Sequence, residues 1–138
     1  MIRFLILVFY YYLPVGLYML LIYILSSFSV NVNDIPVVSN DKFMHILEYS
    51  ILGFLFIRAY LNTVGLEFRI RGVFTSIVFA FLMGCFDEYH QLFVPNRVVS
   101  LGDILADTIG GFMGSFFYIV VLYVRFRKEK RYGQDSEV

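Results

Sequence analysis

A single cysteine, Cys85, excludes an internal disulfide, and its apolar neighbours mark it as a small filler. Neither charge is in excess, with eleven lysines and arginines against eleven acids, so nothing in the balance suits the chain to nucleic acid. No repeat or low-complexity tract divides the 138 residues, which make one small domain. No H-x-x-x-H or similar spacing singles out zinc. At the start, only Arg3 precedes an uncharged run from 4 to 28, and no A-x-A-like site follows it. A cleaved signal has a shorter core of about 7–15 residues, so the run reads as a retained helix, bent at Pro14-Val15-Gly16.

What the chain has in quantity is apolar surface. It is 59% hydrophobic and 20% aromatic, with a mean hydropathy of +0.75, above the roughly 45–50% apolar usage of soluble domains. Four segments reach the roughly 20 apolar residues that a spanning helix needs: 4–28, 43–62, 72–94 and 101–124. Lipid tolerates only backbones that are hydrogen-bonded internally. The expected fold is therefore an all-α integral membrane four-helix bundle within residues 1–124, followed by a tail, 125–138, that is basic and then disordered. An N-terminus in the cytoplasm puts nine of the eleven lysines and arginines on that side and leaves Lys42 and Arg97 outside. The positive-inside rule thus predicts N-in, C-in, with the basic run from Arg125 to Arg131 anchoring the last helix against anionic lipid.

Seven of the eleven acids and both histidines then gather at the outer end. Six of the acids fall in two stretches, Asp41 to Tyr49 and Asp87 to Asp107, and Asp34 lies in the first loop. A charge inside an apolar span costs about 2.5–3.5 kcal/mol on insertion scales and so has a partner or a task. At ~1.5 Å per residue, Glu48, Glu88 and Asp107 lie roughly 9 Å below their helix ends, and His45, Gln91 and Asp103 roughly 3–5 Å. Two polar tiers are expected. Lys42, His45 and Tyr49 share a helix face with Gly53 below; Glu88 and Gln91 share one with Gly84; Asp103 and Asp107 share one with Gly110 and Gly114. The picture is a bundle pinched by glycine in its inner half and opened into a polar cup outside. His90 falls off the Glu88 face. Plainer roles stand beside this one. Ser100-Leu101-Gly102-Asp103 fits a capping box, Asp107 suits a buried interhelical ion pair, Lys42 suits a snorkelling anchor, and Tyr49 suits packing.

The motifs D-K-x-x-H-x-x-x-Y (Asp41, Lys42, His45, Tyr49), E-x-x-Q (Glu88, Gln91) and R-x5-D-x3-D (Arg97, Asp103, Asp107) resemble the VanZ-like family of small bacterial membrane proteins. The likeness covers about residues 26–114. It implies a multi-pass protein of the bacterial cytoplasmic membrane, and its namesake is associated with low-level resistance to teicoplanin, a glycopeptide acting outside that membrane. A second resemblance is to lipid-phosphate phosphatases, whose S-R-x5-H-x3-D motif uses His to attack phosphorus and Asp to orient it. Here Asn96-Arg97 precedes, and Asp103 stands at the histidine's place, so His45 would have to supply the imidazole or Asp103 would itself attack.

Two uses of the cup stay open. In an enzyme acting on an amphiphile, Lys42 and Arg97 grip a phosphate or carboxylate. His45 serves as base or nucleophile, Asp103, Asp107 and Glu88 support it, and Gln91, Asp41 and Tyr49 complete the ligand contacts. In a binding or shielding protein the same residues hold a headgroup or lipid-linked cell-wall precursor without turnover. Transport would need a homodimer, since four glycine-tight helices leave little room for a pathway. The site is read as free of metal and cofactor, although the carboxylates are of the type that Mg²⁺ or Ca²⁺ accepts.

Overall fold

A computed structural model describes residues 2–28 and 41–135 of the chain. Asp34 and the rest of 29–40, residues 136–138 and the side chain of Asp41 lie outside the described residues. The order of elements is α1 (Ile2–Ile6), a π-helical segment (Leu7–Tyr12), α2 (Leu13–Ser26), α3 (Asp41–Val64), a 3-10 turn (Leu66–Phe68), α4 (Arg69–Gln91) and α5 (Leu101–Asp135). Four spans are long and apolar enough to cross a membrane: Phe4–Ser26, Lys42–Val64, Leu66–Gln91 and Leu101–Tyr132. The all-α membrane bundle is the fold of this chain. Its outer surface is a coat of exposed Phe, Leu, Ile and Tyr, among them Phe74, Leu82, Phe112 and Phe116. In water such a coat is an aggregation hazard; in hydrocarbon it is the matching solvent.

Two departures from the sequence reading have local causes. The first span leaves α geometry at Leu7–Tyr12, one turn ahead of the expected bend. Pro14 sits at the start of α2, where its missing N–H and its ring disturb the carbonyl four residues back, at Tyr10, so the disturbance falls before the proline. The last helix does not end near Val124 but runs to Asp135, 35 residues in all. At ~1.5 Å per residue it is about 52 Å long, against a hydrocarbon core of about 30 Å. Residues 125–131 are Arg, Phe, Lys and Glu. Arg, Lys and Glu are strong helix formers, and the cations suit the negative end of the helix dipole, so leaving the bilayer does not end the helix.

Cross-helix pairs give the topology. Lys42 meets Asp103, His45 meets Asp107, and Phe54 meets Tyr118 with ring centroids 5.1 Å apart. Residue numbers rise together, so α3 and α5 run parallel. Glu88 meets Ser100 and Gly84 faces Asp107, so α4 is antiparallel to both. The first span packs on α3 and more lightly on α4, and its backbone does not approach that of α5. Tyr12 bonds Thr63 at one end, 2.9 Å, and Ser27 bonds His90 at the other, 3.0 Å.

Glycine sets the closest approaches, as the shared faces predicted. A methyl group at Gly114 would strike the backbone carbonyl of Ser50, and one at Gly53 would strike the carbonyl oxygen of Gly111. At Gly110 it would lie 2.5 Å from the carbonyl oxygen of Ile46. Small residues let helix backbones approach, and in lipid that packing replaces the hydrophobic effect as the force between helices. Tyr49, Leu52, Ala59 and Ala80 form the buried centre with Val15 and Ile22 from α2.

Candidate functional site

The polar groups collect where α3 and α5 begin and α4 ends. At the rim Lys42 Nζ donates to Asp103 Oδ1 at 2.7 Å. The lysine side chain is 60% exposed and the aspartate 6%. Deeper, His45 Nδ1 and Asp107 Oδ1 are 2.9 Å apart, with side-chain exposures of 9% and 0%. The two expected tiers are thus joined into one column. The cause lies lower in the bundle. Gly110 seats against Ile46 and Tyr49, and Gly114 against Ser50. That register brings position 107 level with 45 and position 103 level with 42.

Asp103 is not the capping carboxylate that its place in Ser100-x-x-Asp103 suggests. Ser100 does cap α5: its hydroxyl oxygen accepts from the Gly102 N–H at 3.1 Å. The reciprocal bond, from the N–H of Ser100, goes to Glu88 Oε2 at 2.6 Å. A carboxylate from α4 thus fills the role that the third residue of the helix fills in a capping box. This ties the end of α4 to the start of α5 and releases Asp103 for Lys42. The turn between them carries Asn96 at φ 63°, a left-handed conformation that asparagine tolerates better than most residues.

Of the residues singled out from sequence, Lys42, His45, Glu88, Gln91, Asp103 and Asp107 come together at this end. Arg97 sits half-buried in the turn, in electrostatic reach of Glu48 together with His45, Asp87 and Asp107. Tyr49 lies in electrostatic reach of Asp107, but its hydroxyl bonds no member of the column. It is 1% exposed and faces a cavity bounded by α2, α3 and α4. His90, set aside from sequence, is a packing group: it bonds Ser27 and stacks on Tyr23 with centroids 4.4 Å apart. Asp87 was not singled out. It is buried, 6% exposed, and accepts from Gln91 Nε2 at 2.8 Å. Its signal was in the sequence: Asp87 and Gln91 stand four apart on a helix and so face each other. Gln91 therefore orients Asp87.

Several polar atoms lack a hydrogen-bond partner among the described residues: Tyr49 OH, Glu88 Oε1, Arg97 Nε and Asp107 Oδ2. Such atoms are costly where water is scarce. Among the described residues no three His, Cys, Asp or Glu side chains gather closely enough to hold a metal ion. Chemically, the column offers an imidazole oriented by a buried carboxylate, with a cation above it.

No curated protein and no solved structure matches the chain. A family model described as VanZ/LLP1 matches residues 4–123, which takes in the first three spans, most of the fourth, the Lys42–Asp103 and His45–Asp107 pairs and the Glu88 cap, and the chain belongs to that family.

Proposed function

We propose that this multi-pass membrane protein presents the column at the outer leaflet of the bacterial cytoplasmic membrane and acts there on the anionic headgroup of an amphiphile, a phospholipid or a lipid-linked cell-wall precursor. The observation that carries this reading is the 2.9 Å bond between His45 and Asp107, two buried side chains on different helices. A carboxylate on Nδ1 holds the ring in one orientation and stabilises the imidazolium, which is what a general base, or a nucleophile at phosphorus, requires. Asp107 is also the second aspartate of R-x5-D-x3-D, so the imidazole meets the position that orients histidine in the phosphatase pattern. Lys42, 60% exposed yet oriented by Asp103, offers a point charge to a phosphate, and Arg97 offers a bidentate fork. Modification or occupation of such a headgroup would reduce glycopeptide action at the surface.

A second reading rests on the same bonds. Both pairs bridge α3 and α5, so they also serve as pins in a protein that binds or shields without turnover. The test is expression in a glycopeptide-susceptible bacterium of the wild type, His45→Gln and Arg97→Ala, with membrane levels measured alongside susceptibility and the lipid inventory. The catalytic reading expects a changed lipid or precursor pool in the wild type and its loss, by about 10²–10⁴-fold in rate, in His45→Gln at equal membrane level. An unchanged pool with protection still present leaves the shielding reading. Protection that disappears only as protein level falls removes both and leaves structural pins.

A further inference from the structure

Four buried carboxylates crowd the polar end: Asp87, Glu88, Asp103 and Asp107, none more than 6% exposed. Glu48, half-buried, stands in electrostatic reach of Asp87 and Asp107. Against these acids the described residues set two permanent cations, Lys42 and Arg97, and residues 29–41 contain no lysine or arginine to add. Asp103 takes Lys42. Glu88 is met by a backbone N–H, Asp87 by an amide and Asp107 by an imidazole. Negative charge in this depth of membrane calls for a cation. A metal ion is not the natural occupant, because no three acidic or imidazole groups among the described residues converge on one point. Acceptors spread around a space suit an ammonium group, which directs its N–H donors several ways.

The space is the cavity of about 360 Å³ between α2, α3 and α4. Asp87 lines it, and so does Tyr49, whose buried hydroxyl has no partner among the described residues. The remaining lining is apolar apart from the Tyr23 hydroxyl: Met19, Leu20, Ile22 and the Tyr23 ring from α2, with Met83 and Phe86 from α4. This is the lightly packed seam, where the backbone of the first span comes close to α4 at few points.

We infer that this cavity binds the ammonium group of a zwitterionic lipid, with the amine at Asp87 and Tyr49 and the hydrocarbon along the seam between α2 and α4. The inference deepens the reading above and rests on it for the phosphate, which that reading assigns to Lys42 and Arg97. The headgroup class is thereby narrowed to one that carries a phosphate and a free amine together. The wall opposite the carboxylate is apolar, so the occupant is an amphiphile and not a free amine.

The test uses the full chain, purified in a non-ionic detergent, with lipid retention read by native mass spectrometry. Three probes are compared: phosphatidylethanolamine, the same lipid with its amine acetylated, and phosphatidylglycerol, all with the same acyl chains. Phosphatidylethanolamine should be retained about tenfold better than its acetylated form, since a charge-assisted bond is lost on acetylation. Asp87→Asn should abolish that preference while phosphatidylglycerol is retained as before, and Tyr49→Phe, which keeps the ring, should reduce it. The wild-type comparison needs no variant, so a failure of Asp87→Asn to fold leaves the test intact. Equal retention of the free and acetylated amine, with phosphatidylglycerol still dependent on Lys42 and Arg97, overturns this inference and leaves the reading above standing. Retention of none of the three overturns both. Displacement by soluble phosphoethanolamine at the concentration of the lipid overturns the apolar half of the proposal.

Discussion

Asp107 has no exposed surface and Lys42 is mostly in solvent, although each holds one end of a bond between α3 and α5. Breaking a buried pair leaves a carboxylate or imidazole stranded, at a cost of about 3–5 kcal/mol, whereas an exposed pair contributes about 0–1 kcal/mol. His45→Ala should therefore lower the thermal midpoint of the detergent-solubilised protein sharply, and Lys42→Ala less, because the lysine is mostly in solvent although the Asp103 that it leaves behind is buried. A double-mutant cycle between His45 and Asp107 should give a coupling energy above about 1 kcal/mol. A coupling near zero would show that the bond does not hold the helices. Legibility at this scale was uneven. Charge in an apolar span marked Asp107 as functional or structural, but nothing local told which carboxylate His45 would meet. Asp103 and Asp107 sit four apart on one face, and only the register of α5 against α3 assigns one to Lys42 and the other to His45.

At the scale of helices, glycine does what side chains cannot. Gly114 lies under the Ser50 carbonyl, while a methyl group added to Gly16 on the first span would meet no atom within 4 Å. Gly114→Ala should push α3 from α5 and cost about 1–3 kcal/mol by overpacking. Gly16→Ala should be neutral or stabilising by up to about 1 kcal/mol, because alanine favours helix over glycine. The two midpoints, measured side by side, check the packing; an equal effect at both sites would contradict it. Glycine positions were readable from sequence as stripes below the polar groups. Their consequence for the site was not, because a stripe says that helices come close and not which residues of the partner they meet. The exchange of caps, in which Glu88 of α4 serves Ser100 of α5, has the same origin. A capping box is a local pattern, and a carboxylate twelve residues away outcompeted the local one.

For the whole molecule, the asymmetry of charge is the main determinant. Nine of eleven lysines and arginines lie at the end opposite the column, five of them in residues 125–131, on the part of α5 that outruns the bilayer. Fluorescent protein fused after Val138 should be bright and alkaline phosphatase fused there inactive, the pattern of a cytoplasmic C-terminus. The reverse pattern would turn the column to the cytoplasm and remove the outer-leaflet reading. Membrane class, the number of spans, the polar end and most of its residues followed from the sequence alone. Hydrophobic length, charge cost and helical facing are properties of short stretches of chain. The tertiary structure alone decided the partners: His45 with Asp107 across 62 positions and Lys42 with Asp103 across 61, Tyr49 turned into the cavity beside Asp87, and the first span set apart from α5. Those outcomes depend on the register and rotation of whole helices, which are fixed where glycine lets two backbones meet, far along the chain from the groups that they align.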